Sequence, residues 1–172
     1  MRYNIIDDAM PSDFHDKIWS TMSSHVFPWF YGNTTNYQQN GDEEFIKQDD
    51  DLDDYHFIHH FYDNDAPCSI YYKDFIAPIL SGLDAITPLR VKANLHPRTT
   101  SLFQNHWHKD YPFDHRGAVY YLNSNDGFTV FEDGTKVESV ANRLLIFDSY
   151  ELHRSTTCTN AKGRFNINFN WR

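Results

Sequence analysis

The sequence predicts a mainly β domain, an antiparallel sandwich or barrel of short strands with a helical N-terminal part packed on one outer face. Three observations predict it. From residue 89 onward the chain falls into eight short β-rich runs, each closed by turn residues. Before that point, residues 11–24 and 71–86 have helical character. Finally, no internal repeat or low-complexity linker separates the two parts, and 172 residues suffice for one sizeable core but are short for two. The expectation is a single domain over residues 1–172, with 1–88 as helical, aromatic-rich support and 89–172 as the β core.

Taken in order, PSDFHDKIWSTMSS opens with Pro11 and Ser12, which can start a helix, and spaces Phe14, Ile18 and Met22 four apart as one buried stripe. VFPWFYG after it is aromatic and β-like. Residues 32–54 are polar and end in QDDDLDD, read as a solvated loop because it lacks the glycine and terminal glutamate of a calcium-binding EF-hand. DYHFIHHFYD, residues 54–63, reads as a strand, and residues 71–86 read as a helix that Pro78 kinks or splits, with Gly82 near its end. The eight runs are LRVKANLHP, SLFQNHWHKD, RGAVYYLN, GFTVFEDG, TKVESVA, NRLLIFD, LHRSTTC and GRFNINFNW, punctuated by PRTT, PFDH, NSND, EDGT and TNAKG.

Composition bounds the function. The 14 Phe, 11 Tyr and 4 Trp supply large buried area to a chain that is 40% apolar, so a packed core is expected. A net charge of −9 argues against a nucleic-acid partner, whose affinity would come from Lys and Arg. Two cysteines, Cys68 and Cys158, make no disulfide framework and no CxxC metal knuckle, which fits a reducing cytoplasm. No leader-like start and no membrane-length apolar run is present, so a soluble cytoplasmic protein is expected.

The stretch NHWHKDYPFDH, residues 105–115, concentrates candidate metal ligands. On a strand, residues two apart share a face about 6.5 Å from each other, so His106, His108 and Asp110 can look the same way while the strand lasts. His153 adds a third candidate, placed after the apolar LLIF run where packing has no need of an imidazole. Two histidines and one carboxylate make a facial triad that leaves positions open, as non-haem Fe(II) requires.

The order of motifs resembles the Fe(II)/2-oxoglutarate-dependent dioxygenases, and more narrowly their prolyl 4-hydroxylase-like branch. The resemblance covers the C-terminal half and rests on His108-Lys-Asp110, Arg116-Gly-Ala-Val-Tyr-Tyr-Leu-Asn123, Gly127-Phe-Thr-Val-Phe131, Leu144-Leu-Ile-Phe147, His153 and Arg164-Phe-Asn-Ile-Asn-Phe-Asn-Trp171. It implies a double-stranded β-helix (jelly-roll) with N-terminal helices on the outside of the major sheet. It also implies Fe(II) held by His108, Asp110 and His153, with 2-oxoglutarate and O2 as cosubstrates. Arg164 and Tyr121 would then bind the distal carboxylate of 2-oxoglutarate, with Tyr120 the alternative if the register slips by one. The substrate implied is a peptide or protein, a prolyl side chain among the candidates, or a small molecule. Arg164 should point inward although its face of the last strand is polar, because that face lines the site; its planar fork suits a carboxylate. Arg154 should face away from its neighbour His153.

Two rival patterns break down on particular letters. His106-Trp-His108-Lys-Asp110 begins the HxHxDH of dinuclear zinc hydrolases, but Tyr111 stands where the last His belongs. A cupin-like binding module would want a glutamate and a glycine after its HxH, and neither follows His108 at a suitable distance. His106 is read as a support behind the ligands or as cavity wall, Asp148 as a residue that could orient a ligand, and His15, His25, His56, His59, His60, His96 and His115 as surface or packing histidines.

Overall fold

The computed structural model describes residues 3–32 and 55–172; the Asp-rich run of residues 48–54 lies outside the described residues. The strands are β1 (Tyr3–Ile6), β2 (Phe30–Gly32), β3 (His56–Asp63), β4 (Ala66–Pro67), β5 (Pro88–Pro97), β6 (Arg116–Tyr121), β7 (Phe128–Phe131), β8 (Lys136–Glu138), β9 (Arg143–Asp148), β10 (His153–Ser155) and β11 (Gly163–Trp171). Helix α1 spans Ser12–Met22, and a π-helical turn, Tyr72–Ile76, runs into α2, Ala77–Gly82. The larger sheet has the order β1-β9-β6-β11-β5-β3-β2, with β4 beside β3; the smaller is β10-β7-β8, and all ladders are antiparallel. This is the mainly β jelly-roll, a double-stranded β-helix, with helices on the outside of the major sheet.

Strict alternation explains how the layers form. In β11, Ile167, Phe169 and Trp171 join Ala118, Tyr120 and Leu122 of β6 and its exit, Leu144 of β9, and Val91 and Ala93 of β5 in one core. Helix α1 completes that core with Ile18 and Met22, and the second helical segment with Phe75, Ile76, Ile79 and Leu80. The opposite face of the same strands looks at the small sheet, where Val119, Tyr121, Leu145 and Phe147 pack on Phe131 and Val137. β9 therefore reads as the continuous apolar run LLIF, since it is buried on both sides.

Local departures from the expected elements have identifiable causes. Helix α1 starts after Pro11 with no side-chain cap, so Ser12 does not act as one. Pro78 falls at the start of α2, and the turn before it is wound wider, as π-helix, where a proline lacks its N–H and crowds the preceding carbonyl. The run SLFQNHWHKD is not a strand: its backbone pairs with the small sheet through isolated bridges, at Gln104 and His108. β1 was not expected; its pattern YNII is short and mostly exposed, yet it pairs with β9 to edge the large sheet. No helix among the described residues is long and apolar enough to cross a membrane.

Phe169, fully buried between the large sheet and the helices, tests this layer directly. Phe169→Ala should cost about 3–5 kcal/mol of unfolding free energy in urea titrations. A loss below about 1 kcal/mol would mean the helices do not rest on that face.

Candidate metal centre and buried arginine

Two backbone hydrogen bonds hold His108 against β10. His108 N–H donates to His153 O and His153 N–H to His108 O, both at 3.0 Å, which places the rings side by side with centroids 4.5 Å apart. Beyond His108 the chain leaves the ladder and bends. Asp110 thereby turns back, its Oδ1 4.0 Å from His108 Nε2 and its Oδ2 3.9 Å from His153 Nε2. One donor atom from each of His108, Asp110 and His153 lies within 4.8 Å of the others.

The tautomers are set from behind. His108 Nδ1 lies 3.1 Å from His106 O and His153 Nδ1 2.9 Å from Glu151 O, so each Nδ1–H donates to a carbonyl and each Nε2 keeps its lone pair for the cluster. Burial, with the His153 ring beside it, lowers His108 to about 4, so it is neutral near neutral pH. Burial alone would raise the Asp110 carboxyl, but His153, Arg90, His108 and Lys92 together hold it well below the usual carboxylate range. Two imidazoles whose Nε2 atoms face the cluster, with an ionised carboxylate, form a donor set that fits a divalent metal.

Arg164 is fully buried and points inward from β11, across from the helix-facing Phe165. Its Nε donates to Ser139 Oγ (2.7 Å), Nη2 to Thr129 Oγ1 (3.1 Å) and Nη1 to Thr156 O (3.4 Å). Among the described residues no carboxylate pairs with it. Burial lowers its pKa in consequence, because a charge without counter-ion is costly away from water. Gly127 makes room for it: a Cβ there would sit 2.6 Å from Arg164 Cδ and 2.5 Å from Thr157 O. Tyr121 is on the same inner face, and its hydroxyl donates to the same Thr129 Oγ1 at 2.8 Å. The pairing Tyr121 with Asn166 sets that register; Tyr120 faces the helices, where its hydroxyl meets His15 Nδ1 (2.7 Å).

Other expectations fare unevenly. Arg154 faces away, over the Trp107 ring at 4.3 Å. His106 is not cavity wall: its side chain is exposed and its contribution is the carbonyl behind His108. Asp148 is exposed and closes the turn before β10, while the carbonyl of Glu151 orients His153. His96, read as a surface or packing residue, packs: it is 4% exposed, lies across from Arg164 in register and stacks on the His56 ring with centroids 5.5 Å apart. Sequence reasoning also missed the Ser139, Thr129 and Thr156 cradle, and the inward Arg90 and Lys92 of β5. Arg90 Nη2 lies 3.3 Å from Asp110 Oδ1. Burial and the neighbouring Arg90 lower Lys92 to about 8. The signal for these two was present, since LRVKANLH alternates polar and apolar residues as β11 does.

No protein-family model matches the chain, and no curated protein matches it in sequence. Solved structures do match in fold. A prolyl-4-hydroxylase of Pseudomonas putida is 15% identical with a TM-score of 0.62, over 99% of this chain and 92% of that one. A prolyl hydroxylase of Trichoplax adhaerens, in complex with a hypoxia inducible factor oxygen degradation domain peptide fragment, is 14% identical with a TM-score of 0.64, over 99% and 83%. The viral collagen prolyl hydroxylase of Paramecium Bursaria Chlorella virus-1, in complex with 2-oxoglutarate, is 15% identical with a TM-score of 0.59, over 99% and 95%. At these identities the likeness is one of fold.

Burial lowers His15, His59, His60 and His96 as well as His108 from the ordinary histidine value of 6.5. Each stays neutral in the folded protein at a pH where the unfolded chain already binds a proton, so their contribution makes stability fall as pH drops below about 6.5. Urea midpoints of the metal-free protein, taken from about pH 8 to about pH 5, should show this decline. A midpoint that rises on acidification would mean these rings are charged and paired.

Proposed function

We propose that the protein is an Fe(II)- and 2-oxoglutarate-dependent dioxygenase that hydroxylates an unactivated C–H. The observation that carries the reading is the coincidence, in the space between the two sheets, of two unlike incomplete sites. His108, Asp110 and His153 offer three metal donors on one side, and Arg164 is a buried cation awaiting an anion. A dicarboxylate with a chelating 2-oxo acid end completes both at once. Zinc hydrolysis would have no use for Arg164, and a passive binding module would have no need of an open triad.

On this reading His108 Nε2, His153 Nε2 and Asp110 hold Fe(II) and leave open positions. Bound there, Fe(II) supplies the oxidative chemistry, in which 2-oxoglutarate and O2 yield succinate and CO2 while one oxygen atom enters the substrate C–H. The chain's own residues orient and exclude. Arg164 and Tyr121 take the distal carboxylate, the phenol remaining a neutral donor because burial raises it above its ordinary value. Val119, Phe131 and Phe147 close the inter-sheet space against water. A prolyl side chain is one candidate for the substrate, supported by the fold shared with three prolyl hydroxylases.

Succinate release from 2-oxoglutarate under air, with Fe(II), tests the reading. Wild type should turn over and Asp110→Ala should not. Arg164→Ala should raise the 2-oxoglutarate requirement about 100-fold, the loss of two charge-assisted hydrogen bonds. Absence of succinate from wild type, together with tight Zn(II) binding and hydrolysis, would sink the proposal.

A further inference from the structure

The inner face of β5 is the stretch of cavity wall that the proposed chemistry leaves unused. Arg90, Lys92, Asn94 and His96 face inward there, because Val91 and Ala93 between them are fully buried on the helix side. Register sets Lys92 beside Asn168 of β11 and His60 of β3. Asn168 donates to Asp110 Oδ2 at 3.4 Å, so Lys92 stands at the level of the triad. It lies on the far side of β11 from β6, away from Tyr121.

The charge on this wall is only partly compensated. Among the described residues Lys92 makes no hydrogen bond or ion pair. Arg90 reaches Asp110 through one nitrogen, but its Nε is buried without a partner. His96, 4% exposed, has a buried Nδ1 with no partner. The inward positions of β5 and β11 carry no carboxylate at all. Once Asp110 is committed to a metal and Arg164 to 2-oxoglutarate, Arg90 and Lys92 face the open side of the triad without a counter-charge. Both side chains keep part of their surface in water, Arg90 at 21% exposure, so an arriving anion can reach them and gains from two adjacent cations in a half-buried setting.

Resting on the function proposed above, we infer that Arg90 and Lys92 form an anion subsite for the substrate, which therefore carries a carboxylate or phosphate within a few bonds of the reacting carbon. The subsite fixes which C–H meets the metal by anchoring the substrate's charged end on β5. Asn168 and His60 flank that anchor, and neither repels an oxyanion while His60 stays neutral.

Calorimetry on Zn(II)-loaded protein, with 2-oxoglutarate titrated first and the probe second, tests the inference. The probes are N-acetyl-aspartate and methyl phosphate, with N-acetyl-asparagine as the uncharged control. Wild type should bind at least one of the two anions with 2-oxoglutarate already in place, and the control at least about 10-fold more weakly. Lys92→Met should weaken the anion about 10-fold or more, and Lys92→Arg should restore it. The inference is overturned if neither anion binds wild type, if the asparagine derivative binds equally, or if Lys92→Met binds as wild type does. The first titration keeps the two readings apart, since failure to bind 2-oxoglutarate counts against the enzyme and not against the subsite. Urea denaturation of Lys92→Met gives an independent check. Removing an uncompensated cation should raise the midpoint, whereas a fall would assign Lys92 to holding Asp110 in place.

Discussion

The larger sheet is covered on both faces, by helices outside and by the small sheet inside, so neither set of its side chains can be left to water. The outer set meets that constraint by being apolar: Ile167, Phe169 and Trp171 rest on α1 and the second helical segment. The inner set divides. Toward β6 and β9 it is apolar, with Val119, Leu145 and Phe147 against Phe131 and Val137. Toward β5 and β11 it is polar, with asparagines, His96 and three cations. A polar, charged interior is destabilising unless its groups are satisfied, and here they are satisfied only in part. The incompleteness is therefore localised, and it lies around the His108, Asp110 and His153 cluster.

The two halves of that incompleteness differ in how they are built. Two of the three candidate metal donors come from irregular backbone: His108 is pinned by its bridge to His153 of β10, and Asp110 reaches both rings because the chain bends instead of continuing as a strand. A continuing strand would have carried the carboxylate about 6.5 Å onward. The anion donors come from regular strands, where alternation alone decides direction. Arg164 and Tyr121 follow from the register of β11 on β6, and Lys92 from that of β5 on β11. Gly127 adds a volume condition, since the arginine stem passes where a side chain would stand.

Much of the fold could be read from the sequence because its strands obey short-range rules. GRFNINFNW alternates without a fault, LLIF is apolar throughout because both its sides are buried, and Phe14, Ile18 and Met22 announce a helix face. The irregular residues 101–115 were legible as chemistry and illegible as structure: the ligand spacing is visible in NHWHKD, while the bend depends on a partner, His153, 45 positions from His108. β1 escaped notice because an edge strand that exposes most of its side chains needs little apolar patterning. The Arg164 cradle escaped because Ser139, Thr129 and Thr156 are brought together by three different segments. Lys92 escaped for another reason: a polar face on a strand ordinarily means solvent, and only the covered geometry of this fold makes it mean a site.

Charge arithmetic then constrains how the site can fill. Arg90, Lys92 and Arg164 on the inner wall outweigh the one carboxylate, Asp110, so a divalent cation arriving alone enters a region already net positive. Each neutral imidazole lowers the barrier to coordination but adds no negative charge. On the proposed function, a dianion that binds the metal and Arg164 together would remove that repulsion, so metal and 2-oxoglutarate would favour each other's binding, by equal free energies in either order. On the inference drawn for β5, a third charge, on the substrate, would be attracted to Arg90 and Lys92 whether or not the first two are in place, but only then would its C–H have a metal to face. The cation excess that weakens the empty fold is thus the same quantity that couples the ligands, and neutralising any one of the three cations trades coupling for stability.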